Sequence, residues 1–180
     1  MKAELKKIFE EEMKDEKVRM HCIEVEAIMK SLARELGEDE EKWSATGLIH
    51  DLDYNNIDMK EHGKQTIEIL KGKIEDDIKK AILSHNEENT GVKRESKLDF
   101  ALSASDNISG LIFATALMMP DKKLSSVKIN SVKKKLKDKY FAASVRRDLI
   151  YDVEKSGIKL DKFLEISLKA MQEISDELGL

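Results

Sequence analysis

The sequence predicts an all-α fold. Three observations carry that expectation: apolar residues recur at spacings of three, four and seven, no stretch alternates apolar and polar residues with period two, and the 180 residues hold one proline and eight glycines. A helix of 3.6 residues per turn puts residues three and four apart on one face, so such spacing marks a buried stripe, and few breakers allow long helices.

In chain order, a first helix over about residues 2–13 carries Leu5, Ile8 and Phe9 on one side. A second, over about 16–36, sets Val18, Val25, Ile28, Leu32 and Leu36 on one stripe together with His21, and Gly37 stands where a C-terminal cap belongs. Asp39 opens a third helix through Trp43, Leu48 and Ile49 to the adjacent pair His50 and Asp51. A turn at Asn55 and Asn56 leads into a short helix over about 59–71, with His62 in its first turn. The helix over about 75–86 places Ile78, Ile82 and His85 on one stripe, and residues 86–96, with five charges and Gly91, read as a solvated lid or rim. The helix over about 97–118 is the most apolar and should be central; Asp106 lies on its Leu102, Ser109, Phe113 and Leu117 face. After Pro120 come helices near 130–138 and 142–156, the latter closed by Gly157, and a last amphipathic helix over about 161–178.

At 20.5 kDa the chain is expected to form one domain over 1–180, with a metal-site core at about 16–118 and a basic helical part at about 121–180. A composition of 41% hydrophobic and 38% charged residues fits a soluble globule. No apolar run approaches the roughly 20 residues of a membrane span, and the N-terminus lacks the apolar centre of a signal peptide. A cytoplasmic protein without membrane partners is therefore expected. The lone Cys22 cannot form an internal disulfide, and beside His21 it reads as a small core residue rather than a ligand.

The net charge of −4 is unevenly distributed: residues 121–148 hold ten Lys or Arg against three Asp, +7, which leaves −11 elsewhere. Such a segment can attract a phosphate-bearing ligand through its field. It has no groove-reading motif and few aromatics, so nucleic acid is disfavoured as a partner.

The chemistry concentrates in the segment WSATGLIHDLDYNN, residues 43–56. Adjacent residues on a helix point about 100° apart, so His50 and Asp51 converge on one point only at a helix end facing a cavity. All four histidines of the chain, His21, His50, His62 and His85, fall at inward positions or helix ends, and Asp106 interrupts an apolar face, where a carboxylate without compensation would cost several kcal/mol. Imidazoles and carboxylates without a thiolate set are the donors of a catalytic rather than a structural metal site, suited to Fe, Mn, Co, Ni or Zn, with Mg a further option. Six ligands suffice for two ions, with Asp51 between them.

This ordered set, His21, His50, Asp51 and Asp106, resembles the HD superfamily of metal-dependent phosphohydrolases, whose pattern is H…HD…D along a helical bundle. The resemblance covers about 19–110 and implies an HD-domain helical bundle with additional C-terminal helices. It further implies a first ion held by His21, His50, Asp51 and Asp106. His62 and His85 are similar in order and spacing to the extra histidines of the two-metal subset, which implies a second ion held by Asp51, His62 and His85.

The activity so implied is hydrolysis of a phosphate ester or anhydride on a small phosphorylated molecule, a nucleotide in the first instance, with His50 and Asp51 at the catalytic centre. Lys122, Lys123, Lys128, Arg146 and Arg147 are the candidate substrate clamps, and Asp53, Asn107, Glu87 and Glu88 are candidates for supporting ligands or moving protons. The same pattern also resembles the di-iron oxygenases of the HD fold, and a metal-containing nucleotide-binding regulator without turnover is the third reading. Oligomeric state is left open.

Overall fold

The computed structural model describes residues 2–54 and 58–180. Its elements are α1 (Lys2–Glu12), α2 (Glu16–Leu36), α3 (Glu40–Ile49), α4 (Lys64–Ile69), α5 (Asp76–His85), α6 (Glu87–Thr90), α7 (Lys97–Leu117), α8 (Ile129–Lys137), α9 (Arg147–Tyr151), α10 (Leu160–Glu173) and α11 (Ser175–Leu178). Short 3-10 turns occupy Leu124–Ser126 and Asp152–Ser156, and no strand occurs among the described residues. The fold is all-α, as the periodicity requires.

The helices begin where side chains satisfy their free N–H groups. Asp15 accepts from the N–H of Lys17 and Val18 at the start of α2, and Asp39 accepts from the N–H of Lys42 at the start of α3. Ser96 and Asp99 form a reciprocal capping box on α7. Helix α7 is the hub: α2, α3, α5, α8, α9 and α10 all pack on it. Its Leu102, Ile108, Leu111 and Ile112 share a buried cluster with Val25, Ile28 and Leu32 of α2 and Phe163, Leu164 and Met171 of α10. A second cluster joins Leu5, Ile8 and Phe9 of α1 to Ala45, Leu48 and Ile49 of α3 and to Ile78 and Ile82 of α5. Full burial of each such side chain is worth about 1.5–3 kcal/mol.

By length and composition α7 is apolar enough to cross a membrane, which the sequence reading did not anticipate; 61% of its apolar window is buried inside the protein, so it serves as the core helix.

Several boundaries differ from expectation, each for a local reason. The turn expected at Asn55 and Asn56 lies outside the described residues. The helix expected from 59 begins only at Lys64, because Gly63 adopts φ +88° and its N–H is taken by the Asp53 carboxylate. The polar segment 86–96 contains the one-turn helix α6, and Arg94 folds back to donate to the Ser84 carbonyl. The helix expected from 142 starts at Arg147, because residues 138–145 form turns whose carbonyls the Arg147 guanidinium gathers. Ile174 interrupts the last helix and divides it into α10 and α11.

Candidate metal centre

Three helices and one turn deliver the imidazoles to a single point. Helix α2 carries His21 six residues beyond its N-cap Asp15. Helices α2 and α3 lie in close contact at Gly47, where an added Cβ would lie 2.9 Å from the Val25 carbonyl oxygen, so only glycine permits the approach. The Gly47 carbonyl then accepts from His50 Nδ1–H at 2.8 Å. Asp51 follows directly, past the end of α3. His62 lies in the turn before α4 rather than in a helix, and it is buried; His85 is the last residue of α5.

Five of the six expected ligands, His21, Asp51, His62, His85 and Asp106, line one cavity of about 470 Å³. His50 is fully buried and reaches the cluster through Nε2, 3.2 Å from Asp51 Oδ1. The same oxygen lies 3.2 Å from His62 Nε2 and 3.4 Å from His85 Nε2, and the other oxygen of Asp51 lies 3.7 Å from His21 Nε2. Asp106 Oδ1 is 3.0 Å from His21 Nε2 and 3.9 Å from His50 Nε2. Asp106 is less buried than its apolar helix face suggests, with 27% of its side chain exposed, because that part of α7 borders the cavity.

Partners on the far side of each ring fix which nitrogen faces the cluster. His50 Nδ1–H donates to Gly47 O, His85 Nδ1–H to Ile82 O, and His62 Nδ1–H to Asp53 Oδ1 at 2.7 Å. The Ser109 hydroxyl donates to the Asp106 carbonyl, which leaves its oxygen to accept from His21 Nδ1–H at 3.2 Å. Every neutral imidazole therefore presents an Nε2 lone pair inward. The Nε2 atoms of His62 and His85 stand 2.9 Å apart, and His50 Nε2 and Asp51 Oδ1 are buried without a hydrogen-bond partner. Lone pairs converging on carboxylates at such distances repel unless a proton or a cation lies among them. The donors fall into two sets that can each hold an ion: His21, His50 and Asp51, and Asp51, His62 and His85.

The electrostatics carry the same demand. Burial pulls His50 down to about 4, so it stays neutral. Burial also opposes charge on His21 and His62, but Asp106 outweighs it at His21, holding the ring up at about 9, and Asp51 with Asp53 holds His62 up at about 10. Burial works against ionised Asp51, yet the surrounding imidazoles keep its carboxyl well below the usual range. Protons and a divalent cation thus compete for the same lone pairs.

The surrounding residues divide by what they touch. Asn107 donates to the Ser103 carbonyl and to Asp106 Oδ2, and its own carbonyl accepts from the Arg146 N–H at 2.9 Å, so it ties a candidate ligand to the C-terminal segment. Of the five expected clamps, Arg146 alone lines the cavity; Lys122, Lys123 and Lys128 are exposed outside its lining. Arg147 spends its guanidinium on five backbone carbonyls. Glu88 borders the cavity, whereas Glu87 pairs with Arg94. Sequence reasoning missed Lys17, a lining residue one helical turn before His21, and the i,i+4 spacing on α2 was the available signal. It also missed Tyr54, whose ring meets His62 edge-on at 5.4 Å.

Glu24, three residues beyond His21 and 3% exposed, has its carboxyl pushed up to about 8 by burial, against a smaller opposing pull from His21. The folded value lies above the unfolded one, so the stability it confers is full below about 4.5 and is lost as pH rises through about 8. Glu24→Gln is expected to leave the melting temperature unchanged near pH 4 and to stabilise the protein above pH 8, by at most about 5 kcal/mol at 1.36 kcal/mol per unit. Thermal melts at the two pH values check this, and equal shifts at both would remove Glu24 as the cause.

Comparison with known families gives a match to the HD domain over residues 18–111, the stretch that runs from the first turn of α2 to Leu111 of α7 and holds all six candidate ligands. No curated protein matches the chain, and no solved structure does.

Proposed function

The chain belongs to the HD-domain family, a superfamily of metal-dependent phosphohydrolases, and on that premise we propose that it hydrolyses a phosphate ester or anhydride of a nucleotide-sized molecule. The observation that carries this reading is the Asp51 carboxylate, set between two groups of inward Nε2 atoms and bare of hydrogen-bond partners on Oδ1. His21, His50, Asp51 and Asp106 would hold one ion, and Asp51, His62 and His85 a second. Divalent ions bound there supply an activated water and Lewis-acid stabilisation of the phosphoryl oxygens.

The chain's own residues do the rest. Gly47, Ser109, Asp53 and Ile82 hold the four rings with Nδ1 protonated, so the nitrogen that gives up its proton to a bound ion is the inward Nε2. Arg146 is pinned by Asp148 through Nε and Nη2, and its Nη1 reaches Glu88 at 2.8 Å across the cavity rim. A phosphate entering the cavity takes the place of the Glu88 carboxylate on Nη1, with Lys17 as a second cation on the α2 side. Val18, Met59, Val145 and Leu149 give the cavity apolar lining for the rest of the substrate.

Arg146→Ala is accordingly expected to raise KM for an anionic substrate about 10- to 100-fold, the loss of one charge-assisted hydrogen bond, with a smaller fall in kcat. Steady-state kinetics on the folded variant check this; an unchanged KM would return Arg146 to the solvated rim.

The test of the activity is phosphate release from a nucleotide panel by protein stripped of metal and reloaded with Mn, Fe, Co, Ni, Zn or Mg. Release that depends on the added ion supports the reading. Oxygen uptake by the iron-loaded protein without phosphate release would replace it with the di-iron oxygenase, and tight nucleotide binding without product would make the protein a regulator.

A further inference from the structure

Asp53 is the one carboxylate that backs a histidine of the cluster. His50 and His85 donate their Nδ1–H to backbone carbonyls and His21 donates to a hydroxyl, whereas His62 donates to Asp53 Oδ1 at 2.7 Å. The side chain of Asp53 is only 2% exposed. Its other oxygen, Oδ2, accepts from two fixed backbone donors, Gly63 N–H at 2.8 Å and Thr66 N–H at 3.1 Å. The Thr66 hydroxyl in turn accepts from the Asp53 N–H at 3.2 Å. The carboxylate is thus locked from both sides, and its only free choice, the acceptor face toward His62, is already made.

We propose that Asp53 is the positioning residue of the second metal site: it holds His62 with Nδ1 protonated and Nε2 bare, so that His62 can join Asp51 and His85 around a divalent cation. The proposal rests on the two-ion reading above and deepens it. Two features make the effect specific to the second site. His62 belongs only to the donor group of Asp51 and His85, and the first group, His21, His50 and Asp51, is oriented by Gly47 and Ser109 without any contribution from Asp53. Position is set as well as tautomer, because Gly63, at φ +88° and with its would-be Cβ 3.3 Å from the Ile82 carbonyl oxygen, lets the turn bring His62 against α5 while its N–H anchors the same carboxylate. A carboxylate behind an imidazole also raises its basicity as a ligand, and losing such a partner lowers metal affinity about 10- to 100-fold.

The substitution Asp53→Asn separates orientation from packing, since the two side chains have the same shape. With both backbone N–H donors fixed, the amide must turn its oxygen to Gly63 and Thr66 and its NH2 toward His62. His62 Nδ1 then has to accept, its proton moves to Nε2, and the lone pair facing the cluster is gone. A control substitution, Thr66→Val, disturbs the same turn but leaves the carboxylate on His62.

The experiment titrates the full-length wild type, Asp53→Asn and Thr66→Val with manganese, follows stoichiometry and affinity by calorimetry, and reads the His62 tautomer from its ring nitrogen shifts in the metal-free proteins above pH 10, where the ring is neutral. The expected result is two ions on the wild type and on Thr66→Val. For Asp53→Asn it is one ion of unchanged affinity, a second weakened at least about 10-fold, and a His62 proton on Nε2. Two ions on Asp53→Asn at wild-type affinity would overturn the role of Asp53 while leaving the two-ion reading intact. Equal loss of the second ion in Asp53→Asn and Thr66→Val, with Nδ1 still protonated, would overturn it in favour of turn structure alone. A wild type that binds one ion would overturn the two-ion reading and the role of Asp53 with it.

Discussion

Asp51→Asn is expected to remove both ions and to lower kcat by at least about 10³-fold, since several kcal/mol of transition-state stabilisation depend on the metals and each 1.36 kcal/mol is a factor of ten. Asp51 is the only residue common to both donor groups, with Oδ1 within 3.4 Å of three Nε2 atoms and Oδ2 facing the fourth. An amide retains the volume but loses the charge, and its NH2 would point at lone pairs that an ion is meant to share. The core helices do not depend on this carboxylate, so circular dichroism should remain that of the wild type. Full activity with two ions bound would show that Asp51 is not the bridge. His85→Ala should be milder, removing the second ion and leaving the first.

Arg147→Ala is expected to destabilise the fold by about 3 kcal/mol while leaving KM unchanged in whatever fraction remains folded, the reverse of its neighbour Arg146. Its Nε donates to Leu136 O at 3.1 Å, Nη1 to Val145 O at 3.0 Å and Ala142 O at 3.4 Å, and Nη2 to Asp138 O at 2.7 Å and to Phe141 O. A hydrogen bond to a charged group is worth about 1.5–3 kcal/mol, and the five share one guanidinium, so their loss is not additive. For a chain of this size 3 kcal/mol lowers Tm by about 6–12 °C. Arg147→Lys should rescue little, because one ammonium cannot reach carbonyls spread over a planar fork. Thermal melts beside KM values for the two arginine variants decide it; a stable Arg147→Ala with raised KM would exchange their roles.

The contrast between these arginines marks where the sequence is legible. Helices α2 and α7 could be read from their apolar spacing because a buried stripe is a periodic demand, and the histidines could be read because polar residues on such stripes need a partner. Their meeting point at Asp51 follows from helix ends, which capping residues such as Asp15, Asp39 and Gly37 announce. Arg146 and Arg147 stand side by side in one basic run and nothing local distinguishes them. What separates them is the turn geometry of residues 138–145, including Ala142 at φ +43°, and turns have no period to read. Asp53 is similar: two residues past Asp51 it reads as a candidate support for a ligand, but which ligand is not legible, because only the turn at Gly63 folds His62 onto it. Lys17 is legible only from its i,i+4 spacing to His21, since it stands outside the apolar stripe of α2.

The two-ion centre is tested most directly by anomalous diffraction from crystals grown with manganese. Two anomalous peaks that share Asp51 are expected, one among His21, His50 and Asp106 and the other between His62 and His85. A single peak, or two peaks of which either lacks Asp51 as a ligand, would contradict it.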